Sequence, residues 1–114
     1  MSVAKKMDDK NRKEIELIKK LLLPVFEKSK TRKAYLFGSF AKGTQTRKSD
    51  LDLMIITETD NRFFDRYNDY KKIQQIFSER SVDMLIYTSD EISKISHRVF
   101  IKRILEEGEI IYEY

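Results

Sequence analysis

Tyr35 to Thr57 reads YLFGSFAKGTQTRKSDLDLMIIT, two apolar runs on either side of a polar loop. The runs Ala34–Phe37 and Leu53–Thr57 have the composition of strands. Gly38-Ser39 ends the first run, and after ten intervening residues comes Asp50-Leu51-Asp52. Side chains alternate faces along a strand, so Asp50 and Asp52 point the same way, roughly 6.6 Å apart, while Leu51 and Leu53 point into a core. Two carboxylates so placed repel each other unless a cation lies between them, and hard oxygen ligands favour Mg²⁺. Gly38 lacks a Cβ and Ser39 carries a small hydroxyl, which suits a turn whose backbone N–H groups approach a phosphate. A phosphate cradle beside cation-binding carboxylates points to a nucleoside triphosphate.

GSFAKG followed by SDLDL also resembles the nucleotidyltransferase motif of the DNA polymerase β-like superfamily. The spacing and the short chain are most similar to the minimal nucleotidyltransferases (MNT proteins), many of which are antitoxin partners of HEPN-domain toxins. The resemblance runs from about Lys33 to the C-terminus. It implies an α/β nucleotidyltransferase fold like the palm of polymerase β, a mixed sheet of about four strands with helices packed on it. It also asks for a third acid on a later strand, a place that Asp83 fits in VDMLIY, residues 82–87.

The resemblance implies roles as well. An acceptor oxygen attacks the α-phosphorus and pyrophosphate leaves, and two metal ions about 3.5–4 Å apart can hold both ends of such an in-line displacement. Asp50 and Asp52 then hold the Mg²⁺ carried by ATP. Asp83 helps hold a second ion and assists deprotonation of the acceptor. Gly38 and Ser39 take the β- and γ-phosphates, and Lys42 and Arg47 are further nucleotide-binding candidates. For Lys42, Arg47 and Lys48 a solvated loop face is an equal reading, and the sequence does not choose. The implied reaction is transfer of AMP from ATP to a tyrosine hydroxyl of a partner HEPN toxin, as in a type VII-like antitoxin.

Composition narrows the alternatives. A chain of 114 residues makes one core, and 40% hydrophobic with 11% aromatic residues excludes wholesale disorder. There is no cysteine and one histidine, which removes disulfides and thiolate chemistry and leaves little for a histidine-ligated metal. No apolar run nears the roughly 20 residues of a membrane span, and the N-terminus lacks an apolar signal core, so a cytoplasmic protein is expected. The net charge of +4, from 23 basic and 19 acidic residues, is mildly basic, and carboxylates at a cleft repel a phosphate backbone unless metals are present, so nucleic acid is not expected as the primary partner.

Along the chain, residues 1–10 read as a flexible charged tail and residues 11–114 as a single domain. Asn11-x-x-Glu14 offers a capping box, and Ile15, Ile18, Leu22 and Phe26 follow at helical spacing. Pro24 is expected to kink or end that helix near Leu23, and the basic run Lys28–Lys33 to link it to the first strand. One helical turn is expected at Ser39–Lys42, a helix over about 62–80, a strand at Val82–Thr88, a helix over about 89–107 opened by Thr88-x-x-Glu91 and stopped by Gly108, and a last strand at Glu109–Glu113. Phe63, Tyr67, Tyr70, Ile73 and Phe77 share one helical face and read as core, while Phe64 falls off that stripe and is free to meet a partner. His97 reads as a surface or partly buried histidine. The short chain leads us to expect the acceptor surface from another protein. Three rival functions stand beside the enzyme: a non-catalytic antitoxin that blocks a partner, a nucleotide-sensing subunit, and a small basic nucleic-acid-binding module.

Overall fold

The computed structural model of the chain describes residues 2–46 and 48–114, with side chains from Asp9 onward. Strands β1 (Thr31–Phe37), β2 (Leu51–Thr57), β3 (Val82–Tyr87) and β4 (Glu109–Glu113) form one sheet in the order β3-β2-β1-β4. β1 runs antiparallel to both β2 and β4, whereas β2 and β3 are parallel, so the sheet is mixed as expected. Parallel neighbours need a crossover, which a 3-10 segment (Asp65–Tyr70) and α3 (Lys71–Ile76) supply. The other helices are α1 (Ser2–Lys28), α2 (Ser39–Lys42), α4 (Ser89–Ile95) and α5 (Val99–Glu107).

Period-two alternation sorts the strand side chains onto two cores. Ala34, Leu36, Leu51, Leu53 and Ile55 pack with Ile15, Leu22 and Phe26 of α1 and with Tyr70 and Ile73 of the crossover. Tyr35, Met54 and Ile56 pack on the opposite face with Ile92 of α4 and Ile101 and Ile104 of α5. β2 is therefore buried on both faces, as its LMII run requires. Each fully buried aliphatic or aromatic side chain contributes roughly 1.5–3 kcal/mol, which makes these two layers the main driving force.

The N-terminal expectations need correction. α1 starts at Ser2, so residues 2–10 lie within the helix, and Asn11 is not its cap. Ala4, Lys5, Lys6, Met7 and Lys10 are good helix formers, and no Gly or Pro interrupts them. Pro24 does not end the helix, which continues to Lys28. The proline deprives one carbonyl of its donor, that of solvent-exposed Lys20, while buried Leu22, Val25 and Phe26 hold the surrounding turns to the sheet.

β1 begins at Thr31 and so takes in half of the supposed basic linker. Its pairing with β4 explains why: Lys33 stands opposite Glu113, with Nζ 3.4 Å from the carboxylate, and the Tyr114 amide donates to the Arg32 carbonyl at 2.9 Å. The helix expected to reach position 80 stops at Ile76, because Gln74 crosses the turn. Its Nε2 donates to the carbonyls of Phe77 (3.2 Å) and Arg80 (2.9 Å), and its Oε1 accepts from the Val82 amide (3.0 Å).

The last expected helix divides at Ser96-His97-Arg98 into α4 and α5. At about 100° per residue, one unbroken helix would turn Ile92 and Ile101 to opposite sides. The break lets both face the same sheet surface. At its start the capping box forms as read: the Thr88 hydroxyl accepts from the Glu91 amide (3.2 Å), and the Glu91 carboxylate accepts from the Thr88 amide (2.9 Å).

Candidate functional site

β1 ends at Phe37, whose register partner on β2 is Asp52. The chain turns at once through Gly38, with φ 72° and ψ −141°, a conformation that residues with a Cβ rarely adopt. A Cβ added there would lie 2.2 Å from Asp52 Oδ2. Glycine is thus required twice, by the backbone angle and by the carboxylate against it. α2 follows for a single turn, with the Lys42 amide donating to the Gly38 carbonyl (3.2 Å), and closes at Gly43, whose φ of 73° lies in the left-handed region. Phe40 is fully buried and pins this turn to the core, with the Arg80 guanidinium 5.2 Å above its ring.

The loop to β2 is tied to α1. Gln45 Nε2 donates to Asn11 Oδ1 (2.6 Å) and Glu14 Oε1 (2.8 Å), and Asn11 Nδ2 donates to the Phe40 carbonyl (3.3 Å). A second tight turn follows, in which the Thr46 amide donates to Ser49 Oγ (2.8 Å) and the Ser49 amide to the Thr46 carbonyl (3.1 Å). That turn delivers Asp50 to the mouth of β2, where the Leu51 amide donates to the Ser81 carbonyl (2.9 Å).

In the parallel register of β2 and β3, Asp52 stands beside Asp83. Asp52 is half-buried, whereas Asp50 and Asp83 are exposed. Burial, first, and then the negative charge of Asp83, a hydrogen bond with Asp83 and the charge of Asp50 push the Asp52 carboxyl up from 3.8 to about 6. At neutral pH these carboxylates are held together against their own repulsion. A protonated acid relieves that below pH 6, and a bound cation relieves it above. The donor set is all oxygen, which fits Mg²⁺.

Among the described residues, no three His, Cys, Asp or Glu side chains converge closely enough to hold a metal ion unaided. Mg²⁺ ordinarily uses one or two carboxylates, waters and substrate phosphates rather than an all-protein cage. An open carboxylate pair suits that habit.

The structure thus gathers Gly38, Asp52 and Asp83, with Asp50 close enough for its charge to be felt at Asp52. Ser39 is the first residue of α2 and half-buried, and Lys42 is its last and exposed. Asp50 precedes the first residue of β2 instead of lying within the strand. Arg47 lies outside the described residues. Asn11, Glu14 and Gln45 position the loop and were not anticipated. Their separations of 34 and 31 residues leave no local pattern. Phe64, read as free to meet a partner, is 83% exposed. No described helix is long and apolar enough to cross a membrane.

The family described as "Polymerase beta, Nucleotidyltransferase" matches residues 19–114. A protein of Methanocaldococcus jannaschii, provisionally named protein adenylyltransferase MJ1379, is 31% identical over 98 residues, which span 85% of this chain and 91% of that protein. Among solved structures, a toxin–antitoxin complex with AMP-PNP contains a chain that superposes with a TM-score of 0.64 at 19% identity, over 84% of this chain and 73% of that one. The toxin–antitoxin MntA-HepT gives 0.57 at 15% identity, over 86% and 72%. At such identities the structural likeness speaks for the fold.

Proposed function

This chain belongs to the polymerase beta nucleotidyltransferase family, and from that premise we propose that it transfers AMP from ATP, with Mg²⁺, to a tyrosine hydroxyl of a HEPN-type toxin and thereby silences it. The observation that carries the chemistry is the in-register pair Asp52 and Asp83 beside a glycine whose missing Cβ makes room for the Asp52 carboxylate. Gly38 lets the triphosphate approach the backbone, and the Ser39 hydroxyl and amide donate to its β- and γ-phosphates. Asp50 and Asp52 hold the nucleotide's Mg²⁺. Bound there, Mg²⁺ supplies positive charge to the α-phosphoryl oxygens and the departing pyrophosphate.

The acceptor oxygen forms a bond to the α-phosphorus as the α–β anhydride bond breaks. Asp83, exposed at the margin of the site, faces the incoming hydroxyl and receives its proton. The protein acceptor is favoured by the relatives named protein adenylyltransferase. The toxin is favoured by the toxin–antitoxin complexes whose chains share the fold.

The test is transfer of label from α-phosphate-labelled ATP, with Mg²⁺, into a lysate and into a co-expressed HEPN partner, comparing wild type with Asp50→Asn/Asp52→Asn. Label on a partner tyrosine with wild type alone is the expected result. Equal capture and neutralisation of the partner by both forms, with no label in either, would replace catalysis with simple blockade.

A further inference from the structure

Phe63 and Phe64 open the crossover from β2 to β3, the strand that carries Asp83 at one edge of the sheet. Phe64 is 83% exposed and Phe63 is 37% exposed. The Phe63 ring meets those of Phe64, Tyr67 and Tyr87, with centroids 5.8, 6.1 and 5.9 Å away. We propose that this aromatic cluster is the surface on which the acceptor protein docks, and that it takes a segment presenting lysine or arginine beside an apolar side chain. The inference rests on the nucleotidyltransferase reading and adds to it where, and by what chemistry, the acceptor is held.

Asp83, Leu85 and Tyr87 are alternate residues of β3 and share one face. Tyr87 lies roughly 13 Å along the strand from Asp83, so an extended segment seated on the cluster brings a tyrosine a few residues further along it to the acid. Such a segment does not bind by extending the sheet. Val82, Met84 and Ile86 turn their backbone groups away from β2, and side chains of the crossover already engage them. Gln74 Oε1 accepts from the Val82 amide (3.0 Å), the Tyr67 hydroxyl donates to the Met84 carbonyl, and Arg66 Nη1 donates to the Ile86 carbonyl (3.2 Å). An edge covered in this way resists an added strand, which leaves the exposed rings as the means of attachment.

Charge selects what the rings take. The whole chain carries +4, yet exposed Asp60 and Asp65 flank Phe63-Phe64 along the chain, and exposed Asp50 and Asp83 stand at the mouth of the site. Arg62 lies between the first two, but Arg66 is committed to the Glu91 carboxylate at 2.6 Å. A surface of this sign attracts a cationic segment and repels an acidic peptide or a phosphate backbone. The rings add to the preference, because aromatic faces attract cations. The Arg66 guanidinium already lies 5.9 Å from the centroid of Phe63.

Phe64 stands mostly in solvent, so its replacement leaves the fold intact. The probes are two labelled peptides, each with a central tyrosine between leucines, one bearing lysines and the other glutamates at the same positions. Fluorescence anisotropy measures their binding to wild type, Phe64→Ala and Phe64→Leu, and calorimetry measures ATP with Mg²⁺ on each protein. The lysine peptide should bind wild type, more weakly as salt rises, and the glutamate peptide should not. Phe64→Ala should weaken the lysine peptide about 10-fold, the loss of one anchoring side chain, and Phe64→Leu less, with ATP affinity the same in all three. Equal binding of the two peptides, binding of neither, or an affinity unmoved by Phe64→Ala would overturn the docking surface. Wild-type dimers in sedimentation that Phe64→Ala dissociates would give the patch to a second copy of the chain instead. Docking of the lysine peptide through Phe64 on a wild type that binds no ATP would sink the nucleotidyltransferase reading and leave the surface standing.

Discussion

Replacing Asp52 by Asn should make the metal-free protein more stable at pH 8 and leave it no more stable at pH 4. The wild-type carboxyl ionises near 6 instead of 3.8, chiefly because it is partly buried and because Asp83 stands beside it. The folded state therefore holds its proton more tightly than the unfolded chain does. That proton's contribution is fully present below about pH 4 and is lost as the pH rises through 6, beyond which the penalty stays constant. A displacement from 3.8 to about 6 corresponds to at most about 3 kcal/mol, at about 1.4 kcal/mol per pH unit. Solvent reaches part of the group and screens its neighbours, which reduces the expected gain to about 1 kcal/mol. Asn removes the charge and lets its amide donate to Asp83.

For a domain of this size 1 kcal/mol moves Tm by about 4 °C. The assay is thermal unfolding by circular dichroism in EDTA from pH 4 to 8, for wild type and Asp52→Asn. The difference should open between pH 4 and 6 and then hold. Excess Mg²⁺ with ATP should close it by stabilising wild type alone. A variant no more stable than wild type at pH 8 in EDTA, or a gain of the same size at pH 4, would refute the account of a carboxylate pair kept under mutual repulsion.

Two further substitutions probe how the site is held. Gly38→Ala forces a side chain into a positive-φ position and against Asp52 Oδ2. A loss of about 2 kcal/mol is expected, with transfer activity falling further, and thermal melts should show a smaller loss when it is combined with Asp52→Ala, since neighbouring effects couple. Arg66 is 6% exposed and donates to both Glu91 carboxylate oxygens (2.6 and 3.0 Å), to the Ile86 carbonyl (3.2 Å) and to the Asn61 carbonyl (3.0 Å). Arg66→Met should cost about 2 kcal/mol, less than a fully buried broken pair because Glu91 is partly open to solvent. The Arg66 guanidinium, foremost, holds the Glu91 carboxyl down at about 2. The ion pair's contribution is thus present above about pH 4.5 and lost as the pH falls toward 2, so urea titrations of wild type and variant should converge over that window.

What the sequence made legible divides along a physical line. Patterns set by neighbours in the chain were readable: the strand–turn–strand around Gly38, the Thr88–Glu91 capping box, and the strand starting at Val82 that brings Asp83 beside Asp52. Features set by residues far apart were not. Arg32 and Lys33 look like linker until β4 pairs with them, and Asn11 looks like a cap until Gln45 arrives to share its side chain. Two misses fall between these cases.

The split of α4 from α5 was in principle readable, because Ile92 and Ile101 are nine residues apart and stand about 180° out of phase on one helix. Apolar residues that cannot all reach one surface signal a break even without Gly or Pro. The early end of α3 was less accessible, since it depends on a single glutamine reaching across to the next strand. The break after α4 has a consequence for the site. It turns the Phe100–Arg103–Ile104 side of α5 toward Gly38, where an unbroken helix would aim these residues elsewhere. The same phase shift that buries Ile101 and Ile104 therefore also shapes the cavity that Gly38 lines, which ties the packing of this face to the turn that starts α2.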